Sequence, residues 1–234
     1  FLATSTNQPC ILSNAVVEYA NFGLNCQQTS PTFIGCHIRR NNTGIYLDTS
    51  AANILSNLVE RNVTGINCYD NSKPSITGNT IVYNANNGVV IAPSAPVQNR
   101  NPFPTLLGNS FAYNSTAGPS WYDLYAGSFY QPASVTITAL SNWWSGATDP
   151  RLIEGVVYHR SDNVASPTVA FTNALVANPN FAIMGNANST MWFSPNGDAV
   201  QDTVAVQATV SHNSGWQTSI LDSSNRVVTT FTGQ

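Results

Sequence analysis

A glycine-centred block recurs four times in the N-terminal part of the chain. The blocks read ANFGLNC, NNTGIYL, NVTGINC and NNGVVI, and their glycines are Gly23, Gly44, Gly65 and Gly88. Successive glycines are 21, 21 and 23 residues apart. A repeat of this length constrains the fold strongly, because each copy must form a similar unit that packs on the next one.

Apolar residues recur at fixed positions after each glycine. One residue after it come Leu24, Ile45, Ile66 and Val89, and three residues after it come Cys26, Leu47, Cys68 and Ile91. These positions alternate with others along the chain, which is the period of a β-strand and not of a helix. A unit of about 21–23 residues made of short strands and tight turns is one coil of a solenoid.

Stacked coils place equivalent residues about 4.8 Å apart, so that like side chains lie on one another. Asn14, Asn57 and Asn79 are therefore predicted to form a ladder of side-chain amides at one turn. The recurring glycine indicates a turn that needs either a positive φ or a close approach between neighbouring backbones.

This repeat resembles the right-handed parallel β-helix of polysaccharide lyases, pectinase-like hydrolases, phage tailspikes and many bacterial and archaeal surface proteins. The resemblance covers about residues 9–181. TGNTIVYN (77–84) returns as LGNSFAYN (107–114), with a Pro-rich insertion at 92–104 predicted to lie at a turn. ITALSNWW (137–144) resembles a further coil, and Trp143 and Trp144 are expected to cap the apolar core. The resemblance implies an all-β fold, a right-handed single-stranded parallel β-helix, over residues 1–184.

A second unit is predicted at residues 191–234, after a small-residue linker at 185–190. Its start, FSPNGD-x-x-x-D, resembles Ig-like modules near the C-termini of secreted bacterial surface proteins. WQTSILDSSNRVVTTF (216–231) alternates as two strands around a turn. It is similar to a strand pair of flagellar hook-capping-like Ig-like modules. About 45 residues is short for a sandwich of about 100 residues, so we expect a partial Ig-like β-sandwich that is either cut or completed by another segment. An incomplete sheet exposes an edge, and such an edge can pair with a partner strand.

The charge balance excludes two classes of partner. Charged residues make up 8% of the chain and the net charge is −3, which provides no basic surface for nucleic acid and no polybasic patch for anionic lipid. No apolar run reaches the roughly 18 residues of a membrane span. The chain opens FLATSTNQ, as expected of a processed chain or a piece of a longer one. We therefore expect an extracellular or cell-surface location.

Four Asn-x-Ser/Thr sequons are candidate glycan-attachment sites in a secreted protein. They lie at Asn41, Asn62, Asn114 and Asn188.

Two columns of polar residues precede the repeated glycines. Five positions before them lie Glu18, Arg39, Glu60 and Tyr83, and four positions before them lie Tyr19, Arg40, Arg61 and Asn84. The Glu–Arg–Glu alternation predicts ion pairs on the outer face that support the register of the coils. The alternative interpretation is a lyase-like arginine with an acidic partner, or a sugar-binding groove.

Asp48 and Asp70 follow their glycines by four and five positions, so they are expected near one another on adjacent coils. Paired carboxylates can act as the acid and base of a glycosidase, or bind calcium. Each also stands before a turn, where Asp commonly bonds its own backbone, and turn capping is the favoured interpretation. These two residues are the catalytic candidates of the sequence.

The cysteines and histidines show no metal-site spacing. Cys26 and Cys68 are predicted to be buried free thiols, because two coils separate them by about 9.6 Å, too far for a disulfide. A bridge between Cys10 and Cys36 stays open. His37, His159 and His212 are dispersed along the chain.

Two further segments are candidate binding sites. Asn196, Asp198 and Asp202 offer hard oxygens on a glycine turn, a candidate calcium site that lacks the last Glu of an EF-hand loop; the alternative is a turn entering a strand. No other cofactor is predicted. The aromatic stretch at 118–132 is a candidate surface for sugars or for assembly, or else a loop packed on the helix flank. Its candidate residues are Trp121, Tyr122, Tyr125 and Tyr130.

Together these features predict an extracellular structural or adhesive protein, a rigid solenoid in a surface layer, sheath or filament. Self-association or other surface proteins are the expected partners, with polysaccharide as a further candidate. The alternatives are a polysaccharide lyase or glycoside hydrolase, or a non-catalytic glycan-binding module, on the same scaffold. This scaffold hosts many activities, so the fold alone does not decide among them.

Overall fold

The computed structural model describes residues 10–115, 117–118 and 122–179, and the backbone of 216–221 and 227–233. The chain divides into two compact units, Phe1–Asn180 and Phe181–Gln234. The predicted linker at 185–190 lies outside the described residues.

The first unit is a stack of coils, each with three short strands. The first three coils contain β1 (Ile11–Ser13), β2 (Val16–Glu18), β3 (Phe22–Gln27), β4 (Thr32–Ile34), β5 (His37–Arg39), β6 (Thr43–Asp48), β7 (Asn53–Leu55), β8 (Leu58–Glu60) and β9 (Thr64–Tyr69). The later coils contain β10 (Ser75–Thr77), β11 (Thr80–Val82), β12 (Val89–Ala92), β13 (Thr105–Leu107), β14 (Ser110–Ala112), β15 (Leu124–Ala126), β16 (Thr136–Thr138), β17 (Trp143–Trp144), β18 (Val157–Tyr158) and β19 (Thr168–Ala170). A 3₁₀ turn at Pro132–Ser134 and one short helix, α1 (Pro150–Glu154), interrupt the last coils.

Every third strand pairs in parallel, which builds three sheets along the solenoid. The first sheet has seven strands (β1, β4, β7, β10, β13, β16, β19), and the second (β2, β5, β8, β11, β14, β17) and third (β3, β6, β9, β12, β15, β18) have six each. This arrangement confirms the predicted parallel β-helix. The Pro-rich insertion lies between β12 and β13, at a turn as predicted.

The core consists of inward columns from the three sheets. Cys26, Leu47, Cys68 and Ile91 are paired in one column of the third sheet, as the repeat predicts. Phe33, Ile54 and Ile76 fill the first sheet in the same way. At the C-terminal end Trp144 is buried and its ring stacks on Phe111 with centroids 4.6 Å apart. Trp144 thus closes the core, whereas Trp143 is half-buried.

The repeated glycines are required by close approach, not by a positive φ. Gly44 is stacked between Gly23 and Gly65, and a Cβ on it would lie 2.6 Å from the Gly65 carbonyl oxygen and 3.0 Å from Asn62 Nδ2. None of the four repeat glycines is among the positive-φ residues. Any side chain at this position would therefore push the coils apart.

Two buried asparagine ladders hold the turns between sheets. The first consists of Asn57, Asn79, Asn109 and Asn142, each joined to the next by a side-chain hydrogen bond of 3.0 Å. The predicted member Asn14 is not in it: Asn14 lies against Gly35, and the ladder position holds Ala15 and Cys36 in the first two coils. The second ladder consists of Asn41, Asn62, Asn84 and Asn114 and ends on Asp123.

In the second unit the structure describes one antiparallel hairpin. Strands β20 (Trp216–Leu221) and β21 (Val227–Gly233) pair with each other. The two strands predicted at 216–231 are thus confirmed, while the Ig-like assignment stays a prediction.

Candidate functional site

The outer face of the third sheet carries a row of aromatic side chains. Strand alternation directs Ile45 and Leu47 into the core, so Tyr46 between them faces outward. The same outward column continues through Asn67, Val90, Tyr125 and Tyr158. We call the six rings of this surface the aromatic face. They are Phe22, Tyr46, Tyr69, Tyr122, Tyr125 and Tyr158.

The rings form two clusters at opposite ends of the sheet. Tyr46 lies 4.9 Å from Phe22 and 5.7 Å from Tyr69 between ring centroids. In the later coils Tyr158 stacks on Tyr125 at 4.8 Å and contacts Tyr122 at 5.2 Å. Such half-exposed rings present flat apolar area with a polar hydroxyl, a combination common at binding surfaces.

Three tyrosines of this face, Tyr46, Tyr122 and Tyr125, have raised pKa values and stay neutral at physiological pH. Burial, followed by the charges of Asp48, Tyr69 and Asp70, raises the pKa of Tyr46 to about 12. Burial also raises the pKa of Tyr122 and of Tyr125. Their hydroxyls are therefore hydrogen-bond donors toward any ligand. Asn67 pairs with Tyr46 in the outward column, and its buried Oδ1 has no hydrogen-bond partner in the part of the chain that the structure describes.

Asp48 and Asp70 have separate roles. Asp48 pairs in register with Tyr69, and its Oδ1 accepts from the Thr49 hydroxyl at 3.0 Å. Asp70 anchors the Pro-rich insertion: its carboxylate accepts from Ser94 N at 2.6 Å and from Arg100 Nη1 at 2.7 Å. Both carboxylates bond to turn or insertion residues, and this geometry favours the structural interpretation over catalysis.

The sequence identified part of the aromatic face. Tyr122 and Tyr125 belong to it, whereas Tyr130 lies against the insertion, where its backbone N–H donates to Asn101 Oδ1 at 2.9 Å. Trp121 lies outside the described residues. Sequence reasoning missed Phe22, Tyr46, Tyr69 and Tyr158. For Tyr46 the available signal was its position between the core residues Ile45 and Leu47.

A charged cluster lies on the outer side of the second sheet. The register Glu18–Arg39–Glu60 is as predicted, and Arg39 Nε lies 2.6 Å from Glu18 Oε2. Glu60 is fully buried and instead contacts His37 Nε2 at 2.9 Å and Arg61 Nη1 at 3.0 Å through one oxygen. Its other oxygen has no hydrogen-bond partner among the described residues. Instead of one alternating ladder, the described residues form two separate groups, the Arg39–Glu18 pair and the buried Glu60 with His37 and Arg61.

In the fourth coil the predicted alignment was wrong by one residue. Val82 pairs with Glu60, so Tyr83 follows in the column of Arg61. The extra residue lies between Asn84 and Gly88, where the chain takes one more position than in the earlier coils.

Three of the four sequon asparagines are ladder residues. Asn41, Asn62 and Asn114 are buried, and each side-chain amide nitrogen donates to a backbone carbonyl and to the next ladder side chain. A glycan on this nitrogen would replace a hydrogen used in the ladder and would need space inside the coil. Glycan attachment at these three positions is therefore unfavourable in the folded coil and stays a prediction; Asn188 lies outside the described residues.

Glu154, His159 and Asp162 bring their possible ligand atoms within 4.8 Å of one another. Val169 N–H donates to His159 Nδ1 at 3.1 Å, and His159 Nε2 lies 3.0 Å from Glu154 Oε1. A neutral imidazole with an accepting Nδ1 has its proton on Nε2, which then donates to Glu154. Neither imidazole nitrogen has a lone pair left for a metal ion. His159 instead links Glu154 to the Val169 backbone in the last coil.

The cysteines are free thiols, as was predicted for Cys26 and Cys68. Burial raises the pKa of Cys26 to about 12 and raises that of Cys68 further. Cys10 and Cys36 are not bridged to each other. The candidate calcium residues Asn196, Asp198 and Asp202 lie outside the described residues.

Comparisons with known proteins identify the family of the chain. Among the described residues, no helix has the length and apolar character needed to cross a membrane. Neither a comparison with curated proteins nor one with solved structures returned a match. A family model described as right handed beta helix region matches residues 1–129, which is more than half of the chain. With its three parallel sheets, the chain belongs to the right-handed β-helix family.

Proposed function

We propose that this chain is an extracellular structural or adhesive protein. Its β-helix would serve as a rigid rod in a surface layer, sheath or filament, and the aromatic face would be its contact surface. The buried asparagine ladders support the first part, because continuous side-chain hydrogen bonds stiffen the stack of coils.

The aromatic face is the observation that carries the proposal. It extends over six strands, about 24 Å along the solenoid at one strand spacing per coil. Tyrosine is enriched at protein interfaces, where its ring adds apolar area and its hydroxyl finds a partner. A second copy of the chain, offering the same row of rings, is the partner we propose for this face.

Several acidic side chains of the β-helix bind other residues of the protein, which supports a structural role over an enzymatic one. Asp70 binds Arg100 and Ser94, and Asp123 ends an asparagine ladder. Glu154 binds His159 and the Ser161 hydroxyl. A glycosidase needs two carboxyl groups facing one substrate bond, and these acids are turned toward the protein instead.

Analytical ultracentrifugation of the purified chain over a range of concentrations tests the proposal. We expect concentration-dependent assembly that the double variant Tyr125→Ala/Tyr158→Ala abolishes. Tyr130→Ala is the matched control, since Tyr130 lies against the insertion. A monomer at all concentrations, or assembly that the double variant leaves unchanged, would refute self-association through this face.

A second candidate function is a carbohydrate-active enzyme, a lyase or hydrolase. It is favoured by the buried Glu60 beside His37, because a desolvated carboxylate with one unpaired oxygen is a common feature of acid–base sites. Turnover of uronate-containing polysaccharides that Glu60→Gln abolishes would establish this function. Absence of turnover on such substrates would leave the structural function.

A further inference from the structure

Five large side chains occupy one turn of the solenoid in successive coils. They follow the strands of the second sheet and form what we call the Tyr–Arg column. Its members, all with left-handed backbones, are Tyr19 (φ 61°), Arg40 (φ 55°), Arg61 (φ 53°), Tyr83 (φ 55°) and Tyr113 (φ 53°).

The turn after the first sheet provides an internal comparison. It also needs a left-handed residue in each coil, but there the chain uses small or turn-forming residues: Asn14, Gly35, Ser56, Gly78, Gly108 and Ser141. A Cβ is unfavourable in this conformation, and a bulky side chain is an outlier. The Tyr–Arg column therefore keeps strained residues where glycine or asparagine would be more stable, a pattern associated with function.

The column forms two stacks on the surface, one of Tyr19 with Arg40 and one of Arg61 with Tyr83 and Tyr113. Arg40 Nη1 donates to the Tyr19 hydroxyl at 2.5 Å, and its guanidinium lies 5.7 Å from the centre of the same ring. Arg61 lies 6.0 Å from the ring of Tyr83, which stacks on Tyr113 at 5.0 Å. Tyr19 is 70% exposed and Tyr113 57%, so both ends of the column are open to a ligand.

The second asparagine ladder fixes the backbone below the column. Arg40, Arg61, Tyr83 and Tyr113 are each followed directly by a ladder residue, from Asn41 to Asn114. Because those amides are buried and fully bonded, the strained residues are held in place before any ligand arrives. Preorganised groups lose little entropy on binding.

The charges of the column are unevenly neutralised. Arg61 is paired with Glu60, and the neighbouring Arg39, outside the column, is paired with Glu18. Arg40 forms no ion pair within the described part of the chain, and one of its five N–H donors is used on Tyr19. It also lies on the coil next to Arg61, with Arg40 N donating to Arg61 O, and like charges on adjacent strands destabilise each other. An oxyanion beside Arg40 would relieve this repulsion.

We propose that the Tyr–Arg column binds an acidic saccharide, a sugar chain that carries carboxylate or sulfate groups. Arg40 binds the oxyanion through its unused N–H donors, with Arg61 adding charge from the next coil. The phenol groups of Tyr19, Tyr83 and Tyr113 contact the sugar rings and their hydroxyls. This site is separate from the aromatic face and does not depend on the proposed self-association.

Binding to three polymers with one backbone tests the proposal. Isothermal titration calorimetry would compare dextran sulfate, carboxymethyl dextran and neutral dextran. We expect binding to at least one charged polymer, weakened by added salt, and none to neutral dextran. Binding to dextran sulfate alone, to carboxymethyl dextran alone, or to both would identify the anion that the site accepts, and each of these results would support the proposal. Equal binding to all three polymers, or to none, would overturn it.

Single substitutions distinguish binding at the Tyr–Arg column from nonspecific charge attraction and from loss of the fold. Arg40→Gln should weaken binding by about tenfold or more, since charge-assisted hydrogen bonds are lost. Arg151→Gln removes the same charge from an exposed residue elsewhere and should leave binding unchanged. Arg40→Gly suits the left-handed turn, so it should keep the fold by circular dichroism while losing binding. Unchanged binding in a folded Arg40→Gly protein would refute the assignment.

Discussion

Replacing Asn62 by alanine tests whether the asparagine ladder stabilises the solenoid. Its amide oxygen accepts from Asn41 N and from Asn41 Nδ2, both at 3.0 Å. Its amide nitrogen donates to Ile38 O at 3.1 Å and to Asn84 Oδ1 at 3.0 Å. One side chain thus satisfies buried groups on the coils before and after its own.

The expected loss follows from the groups left unpaired. Alanine removes the acceptor of the Asn41 backbone N–H and a donor to the Ile38 carbonyl, in a region closed to water. Each buried group without a partner costs about 1–3 kcal/mol. We therefore expect Asn62→Ala to lower the free energy of unfolding by about 2–5 kcal/mol.

Urea unfolding followed by circular dichroism measures this loss. Asn42→Ala is the matched control, because Asn42 is exposed and its side-chain amide donates to the exposed Asn21 side chain. Its effect should stay within about 0.5 kcal/mol, as is usual for surface positions. Equal effects of the two substitutions would show that the ladder amides contribute no more than surface amides, and the reasoning would fail.

Three further outcomes follow from the same geometry. Gly44→Ala places a Cβ 2.6 Å from Gly65 O and should cost about 1–3 kcal/mol by urea unfolding, whereas Gly155→Ala, with its nearest atom at 3.5 Å, should be within about 0.5 kcal/mol. Burial raises the pKa of Asp123 to about 6 from 3.8, so the folded state binds the proton more tightly and stability should fall by about 3 kcal/mol as pH rises through this range. Comparing the unfolding of Asp123→Asn with the unsubstituted chain across pH isolates this effect. Cys68, buried and with a raised pKa, should resist iodoacetamide in the folded protein and react after unfolding, as read by mass spectrometry.

The fold was predictable because the residues that determine it recur at a nearly constant spacing. Inward residues must alternate within each strand and match across coils, so the glycine spacing and its flanking apolar residues identify the coil. The errors arose where a coil departs from the period. The additional residue before Gly88 moved Tyr83 out of its column when positions were counted backward from the glycine. Asn14 was placed in a ladder because its residue type matched, although the ladder position in that coil is Ala15.

The candidate sites were less predictable, because their residues are collected one per coil. Tyr122 and Tyr125 stand close together in sequence and were identified, while Tyr46 and Tyr158 meet the same face only after stacking. A sequon is also ambiguous in such a chain: Asn-x-Thr indicates a surface acceptor in an ordinary loop, but in this repeat the asparagine faces the interior. Whether a column is inward or outward must be known before its chemistry can be interpreted.

The two kinds of column have different freedom to change. An inward substitution such as one at Gly44 or Asn62 disturbs the neighbouring coils, whereas an outward residue contacts few groups besides its column neighbours. Function on this scaffold is therefore expected in outward columns, and an outward residue kept at a conformational cost is the clearest sign of it. The Tyr–Arg column meets that criterion, and the aromatic face does not, since its strand positions are unstrained. If only one of the two surfaces binds a ligand, the conformational cost at Arg40 and its column neighbours predicts that it is the Tyr–Arg column.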